Sequence, residues 1–418
     1  MEVSRADYIA LLYTRRENGR VKMITGVRKC GKSYLLLTLF RRHLLEKNIP
    51  EDHIISLALD DSANNKYLDA KELYDYISGR MQENEHYYIL LDEIHLVKGF
   101  EDVLNNLMHV PGADIYITGN SSEILSRDII TDYNANGDEI RVYPFSFAEF
   151  YSVVGGDKQD ALDMYCRYGG MPQVLQMQTS EEKENFLKGL FDQEYFRDVV
   201  INSGDMPIEN EIGKIANIIA SSIGTSTCTH KIFRTLVPGR KKIDLSYRVD
   251  SYIDYLKNIC LIDEVHRYDL LLYKYKHDTH FKYYFADTGL RNACINFCQQ
   301  GESGIMENVI YNELLRRRFS VNIGVSSVYT KLKYPEIKRS EIDFMACQGC
   351  SRYYIQAALE LDTPEKIRHE EEPFIKIIKD PYKKIIIQKS SVTPWHDERG
   401  VLIIGLIDFL LHPECLEW

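Results

Sequence analysis

The sequence predicts an α/β chain organised on a mostly parallel sheet. Three observations predict it. Val21-Lys22-Met23-Ile24-Thr25 is a short, largely apolar strand that runs through a glycine-bounded turn into the apolar helix Tyr34-Leu35-Leu36-Leu37. His86-Tyr87-Tyr88-Ile89-Leu90-Leu91 is continuously apolar rather than alternating, as a strand covered on both faces must be, and it ends in Asp92-Glu93-Ile94-His95. Strand and helix patterns alternate between and beyond these two stretches.

Residues 5–17 read as a helix leading into the first strand. Gly26 to Ser33 then fits G-x-x-x-x-G-K-[ST], the spelling of a phosphate-binding loop. Successive backbone N–H groups must curl around phosphate oxygens, and glycine permits that approach. The helix that follows points the positive end of its dipole at the anion. Gly26, Val27, Arg28, Lys29, Cys30, Gly31, Lys32, Ser33 and Tyr34 are therefore the candidate nucleotide-binding residues, with Lys32 directed at the β- and γ-phosphates and Ser33 at Mg²⁺.

Downstream, the helix is expected to reach about Leu45, followed by a strand over 52–60 and a helix over 69–81. In phosphate-loop ATPases an apolar strand ending in two acids places Asp beside Mg²⁺ and Glu near the attacking water. Asp92 is thus the candidate metal ligand and Glu93 the candidate catalytic residue, with ATP and Mg²⁺ the expected cofactors. The strand Asp114-Ile115-Tyr116-Ile117-Thr118 ends in Gly119-Asn120-Ser121-Ser122. Asn120 or Ser121 would sense the terminal phosphate there, unless the stretch is simply a turn. A fifth strand is expected over 139–147, with a helix beginning at Ala148.

With 418 residues and 48.7 kDa, the chain has room for two to four domains. Hydrophobic residues make up 44% and mean hydropathy is −0.30, values of a globular chain. No apolar run reaches the ~18 residues needed to span a bilayer. The longest candidate, 400–411, carries Asp408 and reads as a buried strand. The N-terminus lacks the apolar segment of a signal peptide. Nine cysteines without regular spacing point to reduced thiols, so a cytoplasmic location with no membrane partner is expected. Cys347-Gln348-Gly349-Cys350 has no second pair and reads as a turn. The net charge of −11 opposes a nucleic-acid-coating role but leaves room for a local basic face.

The loop Thr25-Gly26-Val27-Arg28-Lys29-Cys30-Gly31-Lys32-Ser33 resembles that of prokaryotic AAA-type ATPases related to archaeal ATPases. So do Leu90-Leu91-Asp92-Glu93-Ile94-His95, Thr118-Gly119-Asn120-Ser121-Ser122, the stretch from Val142 to Phe150, and Tyr168-Gly169-Gly170-Met171-Pro172. The resemblance covers nearly the whole chain. It implies an AAA-type ATPase core over 1–150, a helical lid over 151–205, a winged-helix domain over 206–290, and a restriction-endonuclease-like α/β domain over 291–418. Relatives often carry a Gly-Arg pair where Asn134-Ala135-Asn136 stands here. An arginine finger, if one is used, must then come from elsewhere, with Arg127, Arg141 and Arg28 as candidates.

Helices over 212–223 and 229–236, a third capped by Ser246, and strands over 261–268 and 282–287 follow the winged-helix order. The third helix would read DNA. Arg234, Arg240, Lys241, Lys242 and Arg248 favour phosphates, whereas Asp244, Asp250 and Asp254 oppose them, so DNA and a protein both remain expected partners. The C-terminal order is helix 305–319, strands near 328–333, 341–346 and 353–358, a helix, and strand 384–388, as in the nuclease-like fold. Active members of that fold hold metal with a helix Glu, a strand Asp and a Glu-x-Lys pair. Glu307 and Asp343 match, but Gln356-Ala357-Ala358 replaces the pair, so the site is expected to be degenerate. Lys331 or Lys366 would have to supply the lysine, and Glu360 lies too far along the strand to serve as a ligand.

Two function classes follow, with the oligomeric state left open. One is an ATPase whose turnover controls the winged-helix and nuclease-like modules. The other is a nucleotide-gated DNA- or protein-binding switch with negligible turnover. A metal-dependent nuclease is the third, weaker alternative.

Overall fold

The computed structural model describes residues 3–119, 137–191, 207–236, 244–272, 274–275, 280–298, 301–329, 337–375, 377 and 380–418. The chain divides into two compact units, Met1–Pro144 with Asn258–Cys260, and Phe145–Lys257 with Leu261–Trp418.

The first unit begins with helix α1 (Ala6–Thr14) and strand β1 (Val21–Thr25). The helix after the loop, α2, runs as Lys32–Tyr34, a π-helical stretch Leu35–Phe40, and Arg41–Glu46. Then come β2 (Ile54–Ala58), α3 (Ala70–Ser78), β3 (Tyr87–Asp92), α4 (Phe100–Met108), β4 (Ala113–Thr118) and β5 (Gly137–Arg141). The strands form one parallel sheet in the order β2-β3-β4-β1-β5. All of β1 and β3 is buried, which accounts for their continuous apolar spelling. One side of the sheet packs Met23, Leu57, Ile89, Leu91 and Ile117 against Leu73, Ile77, Val103 and Leu107 of α3 and α4. Because β4 inserts between β1 and β3, the chain reverses its direction of strand addition beside the loop. Ligands of open α/β sheets lie at such reversals, beyond the carboxyl ends of the strands.

The second unit opens with α5 (Phe147–Val154), α6 (Lys158–Tyr168) and α7 (Ser180–Leu190). A reciprocal capping box of Ser146 and Glu149 starts α5 where the sequence placed a helix. Next are α8 (Pro207–Ser221), α9 (Thr229–Leu236), α10 (Asp244–Asn258), and strands β6 (Ile262–Val265), β7 (Arg267–Asp269), β8 (Lys274–Tyr275) and β9 (Lys282–Phe285). The chain continues with α11 (Thr288–Cys294), α12 (Glu302–Arg316), β10 (Ser320–Tyr329), β11 (Ile337–Gln348), β12 (Ser351–Ala358), α13 (Pro364–Ile375), β13 (Lys383–Gln388), β14 (Trp395–His396), β15 (Leu402–Gly405) and α14 (Leu406–Leu411). Eight strands form a mixed sheet ordered β14-β15-β13-β12-β11-β10-β7-β8, while β6 and β9 pair antiparallel by themselves. One face of the large sheet shares a core with α5, α6 and α12 through Phe147, Phe150, Tyr165, Val309, Phe344 and Ile355. The other face carries Ile342, Tyr354, Ile386 and Ile403 under Phe374 of α13.

Several sequence expectations change here: the third helix, expected to be capped by Ser246, already begins at Asp244, and the strand expected near 328–333 is described over Ser320–Tyr329. The strand expected over 261–268 is two: β6 joins β9, and β7 lies between β10, to which it is parallel, and the edge strand β8. The apolar run 400–411 is a strand only as far as Gly405 and a helix thereafter, because its sheet neighbour β13 ends at Gln388, opposite Gly405. The Cys347–Cys350 stretch is a turn, as expected, closing the β11–β12 hairpin with Gln348 paired to Ser351. No described helix is long and apolar enough to cross a membrane.

One buried charge breaks the apolar spelling of β1. Lys22 is fully buried, and its ammonium pairs with Asp114 of β4, whose other oxygen accepts the Tyr116 hydroxyl at 2.8 Å. Removing one partner of such a pair leaves a naked buried charge, which costs about 3–5 kcal/mol. Lys22→Met is therefore expected to lower the free energy of unfolding by that amount, read as a lower urea midpoint. Adding Asp114→Asn should recover part of the loss, because no charge is then left buried. Equal midpoints for wild type and Lys22→Met would show that the pair contributes nothing.

Candidate functional site

The loop from Gly26 to Gly31 leaves the carboxyl end of β1 and is pinned from beneath. Val27 and Cys30 are its buried side chains, and the Cys30 thiol lies 3.4 Å from the Val142 carbonyl oxygen just past β5. Arg5, itself buried, donates from Nη2 to the carbonyls of Cys30 at 3.1 Å and Tyr143 at 2.6 Å. Gly26 has φ +135°, and a Cβ there would collide with the Val142 carbonyl, so only glycine fits. Gly31 and Lys29 are also left-handed, at φ +102° and +60°. Lys32 opens α2 and folds back, its Nζ donating to the carbonyls of Gly26 at 2.9 Å and Val27 at 3.1 Å. A glycine-bounded loop at a strand's carboxyl end, with a lysine ammonium resting on its first carbonyls, is suited to a polyphosphate. Tyr34 points outward, 49% exposed.

Asp92 ends β3 and is buried. Thr118 of the inserted strand β4 stands beside it and makes two bonds: its hydroxyl donates to Asp92 Oδ1, and its oxygen accepts the Glu93 N–H at 3.1 Å. Glu93 is left-handed at φ +54°, a conformation costing ~1–3 kcal/mol in a non-glycine residue and found mostly at functional sites. Its carboxylate lies 3.3 Å from His95 Nδ1. Burial pushes both acids above the ordinary carboxylate range. For Asp92, hydrogen bonds from Thr118 and Ser33 oppose the shift; for Glu93, the charges of Lys32 and His95 do. Asp60, just beyond β2, raises both, a neighbour the sequence reading did not single out. Lys32, Ser33, Asp92 and Glu93 are thus brought together, an oxygen-rich set fitted to Mg²⁺ beside a cradle fitted to phosphate. Asn120, Ser121 and Arg127 lie outside the described residues. Thr118 was missed as a site residue, although its place at the end of a strand beside the acidic one was visible.

A second polar centre lies in the other unit. Glu307 of α12 and Asp343 of β11 lie around one ammonium, and Gln356 Oε1 of β12 accepts the Asp343 N–H at 3.3 Å. Ala358 stands where the pair's lysine would be, and a lysine from another strand, not considered in the sequence, enters the cluster. Lys282 of β9 reaches Glu307, Glu341 and Asp343 together, at 3.1 Å each. Lys366 is instead at the surface with Glu360 and Asp362, and Lys331 lies outside the described residues. The Gly169-Gly170 pair serves packing. Gly170 N–H donates to buried Asp287 at 2.7 Å, and a Cβ on Gly169 would run into that carboxylate.

Residues 18–151 match a family described as an AAA domain, and residues 159–301 match a domain of unknown function, DUF8612. An uncharacterized protein of Haemophilus influenzae is 30% identical over 415 residues, covering 98% of each chain. An uncharacterized protein of Methanocaldococcus jannaschii is 27% identical over 377 residues, 86% of this chain and 79% of that one. Among solved structures, the Aeropyrum pernix Orc1 protein in complex with DNA overlaps 70% of this chain and 92% of its own, at 12% identity and a TM-score of 0.28, too low to carry an argument. The chain belongs to the same family as the Haemophilus influenzae protein, with an AAA-type α/β core over residues 18–151.

Proposed function

We propose that this protein is a Mg²⁺-dependent ATPase whose nucleotide state controls its second unit. One observation carries the reading: Thr118 ties Asp92 and Glu93 to a single hydroxyl, in the unit where Lys32 and Ser33 open the helix behind the loop. In its nucleotide-bound form the loop N–H groups and Lys32 hold the β- and γ-phosphates, and Ser33 and Asp92 hold Mg²⁺, which supplies positive charge at the phosphates. Glu93 is the general base that orients and deprotonates water, and the upward shift that burial gives its pKa makes it a stronger proton acceptor. Asn120 is assigned the phosphate-sensing role from its position after β4.

In the second unit, α8, α9, α10 and the β6–β9 pair, with Thr227 bridging Phe281, follow the order of a winged helix. Lys231 and Arg234 are exposed on α9, which favours DNA, while Asp250 and Asp254 are exposed on α10, which favours protein. We read this module as a DNA-binding winged helix, and the module from α12 onward as nuclease-like in fold and non-cutting. Its cluster is filled by Lys282, and the neutral Gln356 replaces a carboxylate.

Phosphate release tests the first reading. Glu93→Gln should cut turnover by about 10²-fold or more while still binding ATP. Thr118→Val should reduce it by about 10–100-fold through the lost support of Asp92 and Glu93. Turnover by Glu93→Gln equal to wild type would remove the role given to that residue. A plasmid incubated with Mg²⁺ or Mn²⁺ tests the second. It should be bound, more weakly as salt rises and after charge reversal at Lys241 and Lys242, and should stay uncut. Cleavage that disappears in Asp343→Ala would make the module a nuclease.

A further inference from the structure

Among the described residues, the charge of Lys282 meets only the carboxylate cluster. An ammonium has three donors and no acceptor. Here Nζ has three carboxylate neighbours at 3.1 Å: Glu307 Oε2 from α12, and Glu341 Oε1 and Asp343 Oδ1 from β11. The lysine side chain is 3% exposed, and those of Glu307 and Asp343 are 11% and 13% exposed. Glu341 is more open, 31% exposed, with its other oxygen 3.2 Å from Arg267 Nη2. Tyr284 donates its hydroxyl to Glu307 at 2.8 Å, and the Ala357 N–H donates to Asp343 Oδ2 at 3.0 Å. Glu370 of α13 faces the same site, raised by burial and by the charge of Asp343. Burial and Asp343 together push Glu307 up to about 7.

Three carboxylates from two elements, converging on one positive atom, form the arrangement by which proteins hold a divalent ion. The difference is distance: oxygen ligands sit about 2.0–2.6 Å from Mg²⁺ or Ca²⁺ and farther from an ammonium nitrogen. A divalent ion added beside Nζ would meet a buried like charge and find its ligands already taken. The lysine that assists metal-dependent hydrolysis must instead be directed at water, whereas Lys282 donates to Glu307 and Asp343 and has Glu341 as a third ion-pair neighbour.

We propose that Lys282 is the resident cation of this cluster, an internal ammonium standing where a divalent metal would, and that removing it opens a divalent-cation site. The inference rests on reading this module as non-cutting, and it explains why it does not cut. It also gives β9 a latch: the strand pairs with β6 on one side and is held through Lys282 to α12 and β11 on the other.

Mn²⁺ titration of the nucleotide-free, full-length chain, followed by electron paramagnetic resonance of free Mn²⁺, tests this. Wild type and Asp343→Asn should show the same background. Lys282→Ala and the volume-conserving Lys282→Met should each gain a site about 10-fold or more tighter than that background, lost again on adding Asp343→Asn. Wild-type binding that falls in Asp343→Asn would overturn the proposal and make Lys282 a metal-assisting lysine. Folded Lys282 variants, with wild-type circular dichroism, that bind no more Mn²⁺ than wild type would also overturn it. Should both variants unfold, the wild-type and Asp343→Asn titrations still decide. Plasmid cleavage is a separate readout, so the non-cutting reading and the resident-cation reading can fail independently.

Discussion

A loop that surrounds a polyanion must offer bare N–H groups and must not collapse when the anion leaves. Both demands fall on Gly26. It lies against the Val142 carbonyl with no room for a Cβ, and this packs the loop onto the end of β5. Arg5 adds a second clamp by binding two carbonyls from segments far apart in sequence, at Cys30 and Tyr143. Lys32 rests on the Gly26 and Val27 carbonyls of the same loop. The acids obey the same logic. Their burial raises the cost of their charges, and Thr118, Ser33, Lys32 and His95 offset part of it, leaving groups poised for a cation and for a proton.

The second unit solves a related problem with the opposite sign. Carboxylates gathered in a buried place repel one another unless a cation joins them. In the first unit that cation would be exchangeable, arriving with nucleotide. In the second it is covalently part of the chain, on Lys282. A tethered cation cannot be lost to a chelator or changed by metal supply, which suits a site whose role is holding elements together. Asp287 shows the same preference for internal partners, with its carboxylate taken by the N–H groups of Gly170 and Leu290.

Legibility in the sequence followed how local each feature is. The strand, loop and opening of α2 occupy one continuous stretch, and residue spacing alone placed Gly26, Lys32 and Ser33. Asp92 and Glu93 were readable because β3 is buried on both faces and its apolar spelling stops at the acids. Glu307, Asp343 and Gln356 were also found, since each sits at a fixed place in its own helix or strand. Lys282 was not, because nothing near it hints that β9 passes the cluster; that is decided by pairing with β6. Asp60 and Arg5 were invisible for the same reason. The run 400–411 misled because apolarity alone does not distinguish a buried strand from a buried helix. The π-helical turn of α2 has no spelling at all, as its Leu and Phe residues suit any buried helix.

The central claim is that the loop, Lys32, Ser33 and Asp92 form one nucleotide site that needs a divalent ion. Calorimetric titration of ATP into the full-length chain, once with Mg²⁺ and once with a chelator, tests it most directly. The account predicts close to one ATP bound per chain with Mg²⁺ and much weaker binding without it. Absence of ATP binding in the presence of Mg²⁺, or binding unchanged by the chelator, would contradict it.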